Sequence, residues 1–402
     1  MGVEVVITGT GIISPLGIGS AEFFDALCTG QCAIADDHGY ALSDTNARRL
    51  AVVKAFDPDE WLDGGTVRRM SRHAQMAAAA GRMAVQDAGL DPGEKLGHRA
   101  AVLCGAMIGS PGFVFDYYHP IVAKGVPGAS PLLFGEGVPN AASSHLSMNL
   151  GITGSCQTFL GNRDVGFECL LLAMEMIRCG RCDMALVAAA EEFHLVVAQI
   201  FEHLGLLCPR GGDIDRIEPF GAAPSGVVLG EGAAVVLLES AEHAAKRDTR
   251  PRARLVAVES AAAPEHPEKP GETVQRTAVQ AVIDAADPER LRPPLVFSSA
   301  CGLKLDQHEC NAVAQLGYAE PLTITSITGA IGESLATVPL TSLVAAVFSA
   351  QFRKCPPTLT SGAALPDGVR CPSSAELTSA DRVLVVASGL ENTCLAALIE
   401  RI

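Results

Sequence analysis

The sequence predicts an α/β protein made of two similar halves, pseudo-symmetric and packed as five alternating layers of helix and sheet. Two observations carry that expectation. Strand-like apolar runs alternate with helical stretches along all 402 residues, and the second part repeats the first in coarse outline. Apolar residues make up 48% of the chain but aromatics only 5%, so the core must be built from Ala, Val and Leu, which suits helices packed closely on mostly parallel sheets.

Taken in order, residues 3–7 read as a first strand, and residues 8–17 as a glycine-rich loop into a helix over about 20–27. A dinucleotide site is disfavoured there, because Gly9-Thr-Gly-Ile-Ile-Ser14 lacks a third glycine and Pro15 interrupts the helix start. Residues 68–89 are helical, with Gly89 as the stop signal, and 99–108 form a strand. Residues 111–119 gather Phe113, Phe115, Tyr117 and Tyr118, a cluster that reads equally as the lining of a cavity or as ordinary core. Residues 151–177 give a short apolar strand, a tight turn at Gly161-Asn-Arg-Asp164, and a long helix. Such a corner is where α/β enzymes display a nucleophile at a helix N-terminus. The displayed residue here is Arg163, which cannot attack an acyl group. Residues 183–192 form a buried strand ending in two acids, 219–239 a loop and a long strand, and 240–246 a helix.

A charged stretch over 248–254 marks a seam, dividing the chain into halves at 1–249 and 250–402, and 264–270 is a proline-rich loop. Strands are expected at 255–260, 295–299, 382–387 and 393–399, and helices at 273–286, 305–316 and about 332–352.

The formal charge of -15 argues against nucleic acid and against an anionic membrane surface. No apolar run reaches the roughly 18 residues that span a bilayer, and no basic n-region or cleavage site opens the chain, so a cytoplasmic protein is expected. Its 13 cysteines are scattered and fit reduced thiols. Cys179-Gly-Arg-Cys182 has CxxC spacing but no second ligand pair, so neither metal nor cofactor is expected.

The chain resembles the β-ketoacyl-acyl-carrier-protein synthases of the thiolase superfamily nearly end to end. The resemblance rests on Val5-Val-Ile-Thr-Gly-Thr-Gly-Ile-Ile-Ser-Pro-Leu-Gly17, Met83-Ala-Val-Gln-Asp-Ala-Gly-Leu90, Glu218-Pro-Phe220 through Gly226-Val-Val-Leu-Gly-Glu-Gly-Ala233, Thr325-Ser-Ile-Thr-Gly329 and Gly389-Leu-Glu-Asn-Thr393. It implies the thiolase fold, αβαβα in five layers from two duplicated halves. It also implies a chemistry: a corner cysteine carries the acyl chain, two histidines assist malonyl decarboxylation, and two backbone N–H groups form an oxyanion hole.

This sequence departs from that pattern at each catalytic position. Arg163 takes the nucleophile's place. Ser299-Ala-Cys-Gly-Leu303 puts Cys301 where Asn-Ala-His-Gly-Thr would carry the first histidine, and Thr325-Ser-Ile-Thr-Gly-Ala330 puts Ala330 at the second and threonine for the family's lysine. The loop of the second oxyanion donor reads Gly389-Leu390-Glu391-Asn392. Losing one member of a catalytic unit normally costs orders of magnitude in rate, so condensation by this chain alone is not expected. The resemblance points instead to a chain-length-factor-like (ketosynthase-β) subunit that pairs with a catalytic ketosynthase and shapes its acyl tunnel. Phe113 and Tyr117 are the candidate gates. Ser155, Cys156, Gln157, Thr158, Phe159 and Leu160 are the interface strand, and acyl-carrier protein would be met through the partner. Arg163 is expected to pair with Asp164, Glu191 or Glu192, or to bind a carboxylate or phosphate. His308 reads as an exposed residue at a helix start. Two other readings stand: an acyltransferase or hydrolase using Cys301 or Cys156, and a homodimeric scaffold that binds acyl-carrier protein.

Overall fold

The computed structural model describes residues 2–36, 39–40, 42, 45–209, 216–262, 270–390 and 392–402. The proline-rich loop and Glu391 therefore lie largely or wholly outside the described residues. Strands of three or more residues are, in the first half, β1 (Val5–Ser14), β2 (Ala100–Ala106), β3 (Cys156–Leu160), β4 (Met184–Glu191) and β5 (Gly232–Ser240). The second half has β6 (Ala253–Ala262), β7 (Leu295–Phe297), β8 (Leu322–Thr325), β9 (Arg382–Ser388) and β10 (Thr393–Arg401).

Strand order is β3-β2-β4-β5-β1 in one half and β8-β7-β9-β10-β6 in the other. Pairing senses repeat as well. β3, β2 and β4 run parallel, with β5 antiparallel between β4 and β1. β8, β7 and β9 run parallel, with β10 antiparallel between β9 and β6. Val5–Ile7 of β1 pairs with Ala253–Leu255 of β6, which joins the two halves. One chain path thus occurs twice, as the alternating sequence pattern predicts.

The helices that matter here are α1 (Ser20–Cys28), α2 (Arg72–Asp87), α3 (Pro111–Lys124), α4 (Pro131–Gly137), α5 (Ala141–Asn149), α6 (Val165–Arg178), α7 (Leu195–His203), α8 (Pro270–Ala286), α9 (Leu305–Ala314), α10 (Thr328–Ile331) and α11 (Val338–Phe352). α2 and α5 cover the outer face of the first sheet, and α8 and α9 that of the second. α6 and α11 fill the layer between them, where both inner faces contribute to one apolar core. Five layers result, and α11 is apolar all round because sheets or helices face it on every side.

Two expectations need correction. The stretch Leu335–Phe352 is long and apolar enough to cross a bilayer, contrary to the reading that no run reaches that length. It is 89% buried inside the protein, so it is the central core helix. Residues 8–14 continue β1 instead of forming a loop. Gly9 and Gly11 are there for packing: an added Cβ would lie 2.0 Å from the Ala84 carbonyl oxygen and 1.9 Å from that of Ala80, so only glycine lets α2 lie this close to the strand.

Candidate active site

The corner forms as the sequence suggests. β3 ends at Leu160, the Gly161 N–H donates to the Ala106 carbonyl at 3.2 Å, and the chain turns into α6 at Val165. The N-terminus of α6 points into the junction of the two halves, so Arg163 is fully buried. Its Nη2 donates to the Glu333 carboxylate at 2.6 Å and to the Ser299 carbonyl at 2.5 Å, and Nη1 donates to the Ser388 carbonyl at 3.3 Å. Burial opposes the charge, but the Glu333 carboxylate bonded to it holds the guanidinium above its ordinary range. Glu333 is fully buried too, and its second oxygen accepts the Leu335 N–H at 2.8 Å.

Arg163 therefore pairs with Glu333, not with Asp164, Glu191 or Glu192. Those three acids have other surroundings. Glu191 accepts the N–H groups of Met107, Ile108 and Gly109, and Glu192 those of His73 and Gly112. Asp164 is fully buried with no hydrogen-bond partner of good geometry, and burial raises its pKa.

The segments carrying Arg163, Cys301 and Ala330 meet at one place. Arg163 bonds the carbonyl of Ser299, while Ser326 and Thr328, just ahead of Ala330, donate to the carbonyl of Ala300 at 2.7 and 2.5 Å. Cys301 is fully buried, and its amide is held by Asp306 at 2.9 Å. Burial, only partly offset by Arg163, pushes its thiol well above the ordinary value, so it stays protonated at neutral pH. Ala330 is buried and gives its carbonyl to the Ala33 N–H at 2.8 Å. Thr325 donates its hydroxyl to the Pro356 carbonyl at 3.0 Å.

Beside the corner, Leu390 donates its N–H to Asn162 Oδ1 at 3.1 Å, and the Arg163 N–H donates to the same oxygen at 2.7 Å. Gly389 donates to the Thr393 carbonyl at 3.0 Å.

The other predicted residues lie apart from this junction. Ser155 precedes β3, and Cys156, Gln157, Thr158, Phe159 and Leu160 form it. β3 is the outermost strand of its half, with Cys156 and Leu160 exposed at its ends. Cys156 donates its thiol to the Ser143 carbonyl at 3.5 Å and is not at the corner. Phe113 and Tyr117 are half-buried on α3, a largely exposed helix, and Tyr117 packs on Phe134 with ring centroids 5.6 Å apart. His308 is half-buried in the first turns of α9 rather than exposed.

Sequence reasoning missed four residues that hold this junction. Glu333, an acid just ahead of the long apolar stretch into α11, carried a usable signal, because a lone charge at the start of a buried run needs a partner. Asn162 carried none beyond its place in the turn. Asp306 accepts the N–H groups of Cys301, Gly302 and Phe220, and burial lifts it to about 7. Glu309 accepts from Ser298 and from both the amide and hydroxyl of Ser299. The two acids replace free loop geometry with a fixed backbone behind Arg163.

A duplicated αβαβα fold with a strand–turn–helix corner at the junction of its halves defines a ketosynthase-type protein. The family model described as the β-ketoacyl synthase N-terminal domain matches residues 3–244, and the chain belongs to the β-ketoacyl synthase family. It is similar to a Streptomyces halstedii protein described as a polyketide β-ketoacyl synthase, with 30% identity over 374 residues, 88% of this chain and 87% of that one. Among solved structures it is similar to the ishigamide ketosynthase/chain length factor, with a TM-score of 0.92, 23% identity and full coverage of both chains. It is also similar to a structure of a type II polyketide acyl-carrier protein in complex with its hexaketide-bound ketosynthase, with a TM-score of 0.89, 21% identity and full coverage of both chains.

Proposed function

We propose that this chain is a non-catalytic, chain-length-factor-like (ketosynthase-β) subunit of a cytoplasmic polyketide or related acyl-chain elongation system. It would pair with a catalytic ketosynthase and shape the partner's acyl tunnel. The observation that carries the reading is the buried Arg163–Glu333 ion pair at the nucleophile's position, with no histidine at either family position. An arginine locked by a carboxylate and two carbonyls offers no nucleophile, and Cys301 beside it is a buried, protonated thiol.

Pairing is supported by the free edge of β3. A strand with unpaired backbone groups and exposed apolar ends calls for a covering partner. Phe115, Tyr118, Val122, Leu132 and Phe134 are exposed on α3 and α4, and α4 is followed by α5, whose Ser143 bonds Thr158 of β3 at 2.6 Å. Exposed apolar side chains of this size beside an open edge fit a subunit interface. Phe113 and Tyr117, half-buried on the same helix, are the proposed gates. Carrier proteins are acidic and this chain carries -15, so we assign carrier docking mainly to the partner.

Co-expression with a candidate catalytic ketosynthase and its carrier protein, followed by mass analysis of the products, tests this. Chain elongation should need both subunits. Condensation by this chain alone would overturn the reading. So would a stable, single-species homodimer that binds carrier protein tightly and ignores the ketosynthase, the outcome expected of a homodimeric scaffold.

A further inference from the structure

Two backbone N–H groups, those of Arg163 and Leu390, converge on a single oxygen, Asn162 Oδ1, at 2.7 and 3.1 Å. Two amide donors aimed at one oxygen is the arrangement that receives the negative oxygen of a tetrahedral acyl intermediate. Here a neutral side-chain carbonyl sits in it. The amide is oriented with its oxygen toward the two donors, since the reverse orientation would set its NH2 against two N–H groups. Room for it comes from Gly389: a Cβ there would lie 2.8 Å from Asn162 Nδ2 and 2.3 Å from Thr393 Oγ1.

We propose that Asn162 is a built-in occupant of the oxyanion pocket, and that it closes this site to the carbonyl of any thioester or ester independently of Arg163. The proposal rests on the reading of the corner as a vacated ketosynthase site. It has a consequence that the missing nucleophile alone does not: a thiol placed at the corner should alkylate readily yet acylate poorly, because only acylation builds an oxyanion.

The test compares two reactions of one thiol in the full-length chain. Arg163→Cys is combined with Glu333→Ala, so that Glu333 is not left as a buried charge without its guanidinium. In acylation by 4-nitrophenyl acetate the thiolate attacks the ester carbonyl and its π electrons pass to oxygen. The oxyanion then collapses, the new carbon–sulfur bond is kept and 4-nitrophenolate leaves, the thiol proton having gone to solvent. With iodoacetamide the same thiolate displaces iodide and no oxyanion forms. Adding Asn162→Ala should speed acylation by about 10-fold or more while leaving the alkylation rate unchanged. Equal acceleration of both reactions, or of neither, would overturn the proposal. A second measurement does not depend on those variants folding. In the otherwise natural chain, Asn162→Ala should speed hydrogen exchange at the Arg163 and Leu390 amides, and unchanged exchange would overturn the shared acceptor. Either failure leaves the partner-subunit reading intact, since that is judged by the products of the pair.

Discussion

Arg163 Nη2 lies 2.6 Å from Glu333 Oε2, with both side chains fully buried, and this pair ties the N-terminus of α6 to the segment between α10 and α11. Its remaining contacts run to the carbonyls of Ser299 and Ser388 and to the Leu335 amide, so one interaction draws together loops from both halves. Taking two charges out of water costs about as much as their attraction returns, so the intact pair adds little net stability. Leaving one charge alone is a different matter. Glu333→Ala or Arg163→Met should each lower unfolding free energy by about 3–5 kcal/mol in urea titrations, and Arg163→Met with Glu333→Leu should cost less than the worse single change. Additive losses would show that the two side chains are not coupled.

At the edge strand, Cys156→Asp with Leu160→Asp places charge on exposed positions of β3 without touching the core. Thermal unfolding of the chain should be unchanged, whereas co-purification with a catalytic ketosynthase should weaken by about 10-fold or more, since charge is poorly tolerated in an apolar interface. Undiminished pairing would place the interface elsewhere.

For the gates, Phe113→Ala and Tyr117→Ala should lengthen the products of the co-expressed pair by one or more extension units, read by mass spectrometry. Truncating a side chain that ends a tunnel lets the growing chain extend. Unchanged product masses would remove both residues from that role.

His73 supplies a pH dependence. It is buried in α2 with Nε2 unpartnered, and burial lowers its pKa from 6.5 to about 4. Between those values the unfolded chain binds the proton and the folded chain does not. The His73 contribution is therefore present above pH 6.5 and lost as pH falls toward 4, by up to about 3 kcal/mol. Glu191 and Asp306, each lifted to about 7 by burial, act in the opposite direction over this range. On going from pH 7 to pH 5 the urea midpoint of His73→Phe should move upward relative to that of the natural chain, and identical shifts for the two would refute the assignment.

Much of this protein was legible in its residues. Alternating apolar runs predicted the duplicated path, and the strand, turn and helix around Arg163 were readable from the apolar run and the turn residues. Those are properties of local pattern: strand runs, turn residues and motif spacing survive in one dimension. The glycine-rich stretch after Ile7 misled for the same reason. Glycine marks both loops and close helix–strand approach, and only the carbonyl oxygens of Ala84 and Ala80, standing where a Cβ on Gly9 or Gly11 would go, distinguish them.

What the sequence by itself determined is the fold class and the strand–turn–helix corner with Arg163 in its turn, because both are written in residue types and their order. Only the tertiary structure decided what surrounds that arginine. Glu333 lies 170 residues from Arg163 along the chain, and Leu390 lies 228 from Asn162. The partner of a buried charge and the acceptor of a buried amide are chosen by three-dimensional proximity in a low-dielectric interior, where any unpaired group is costly. Local pattern told us that an arginine stood in the corner, and the fold closed that corner with a carboxylate on the side chain and an asparagine on the backbone.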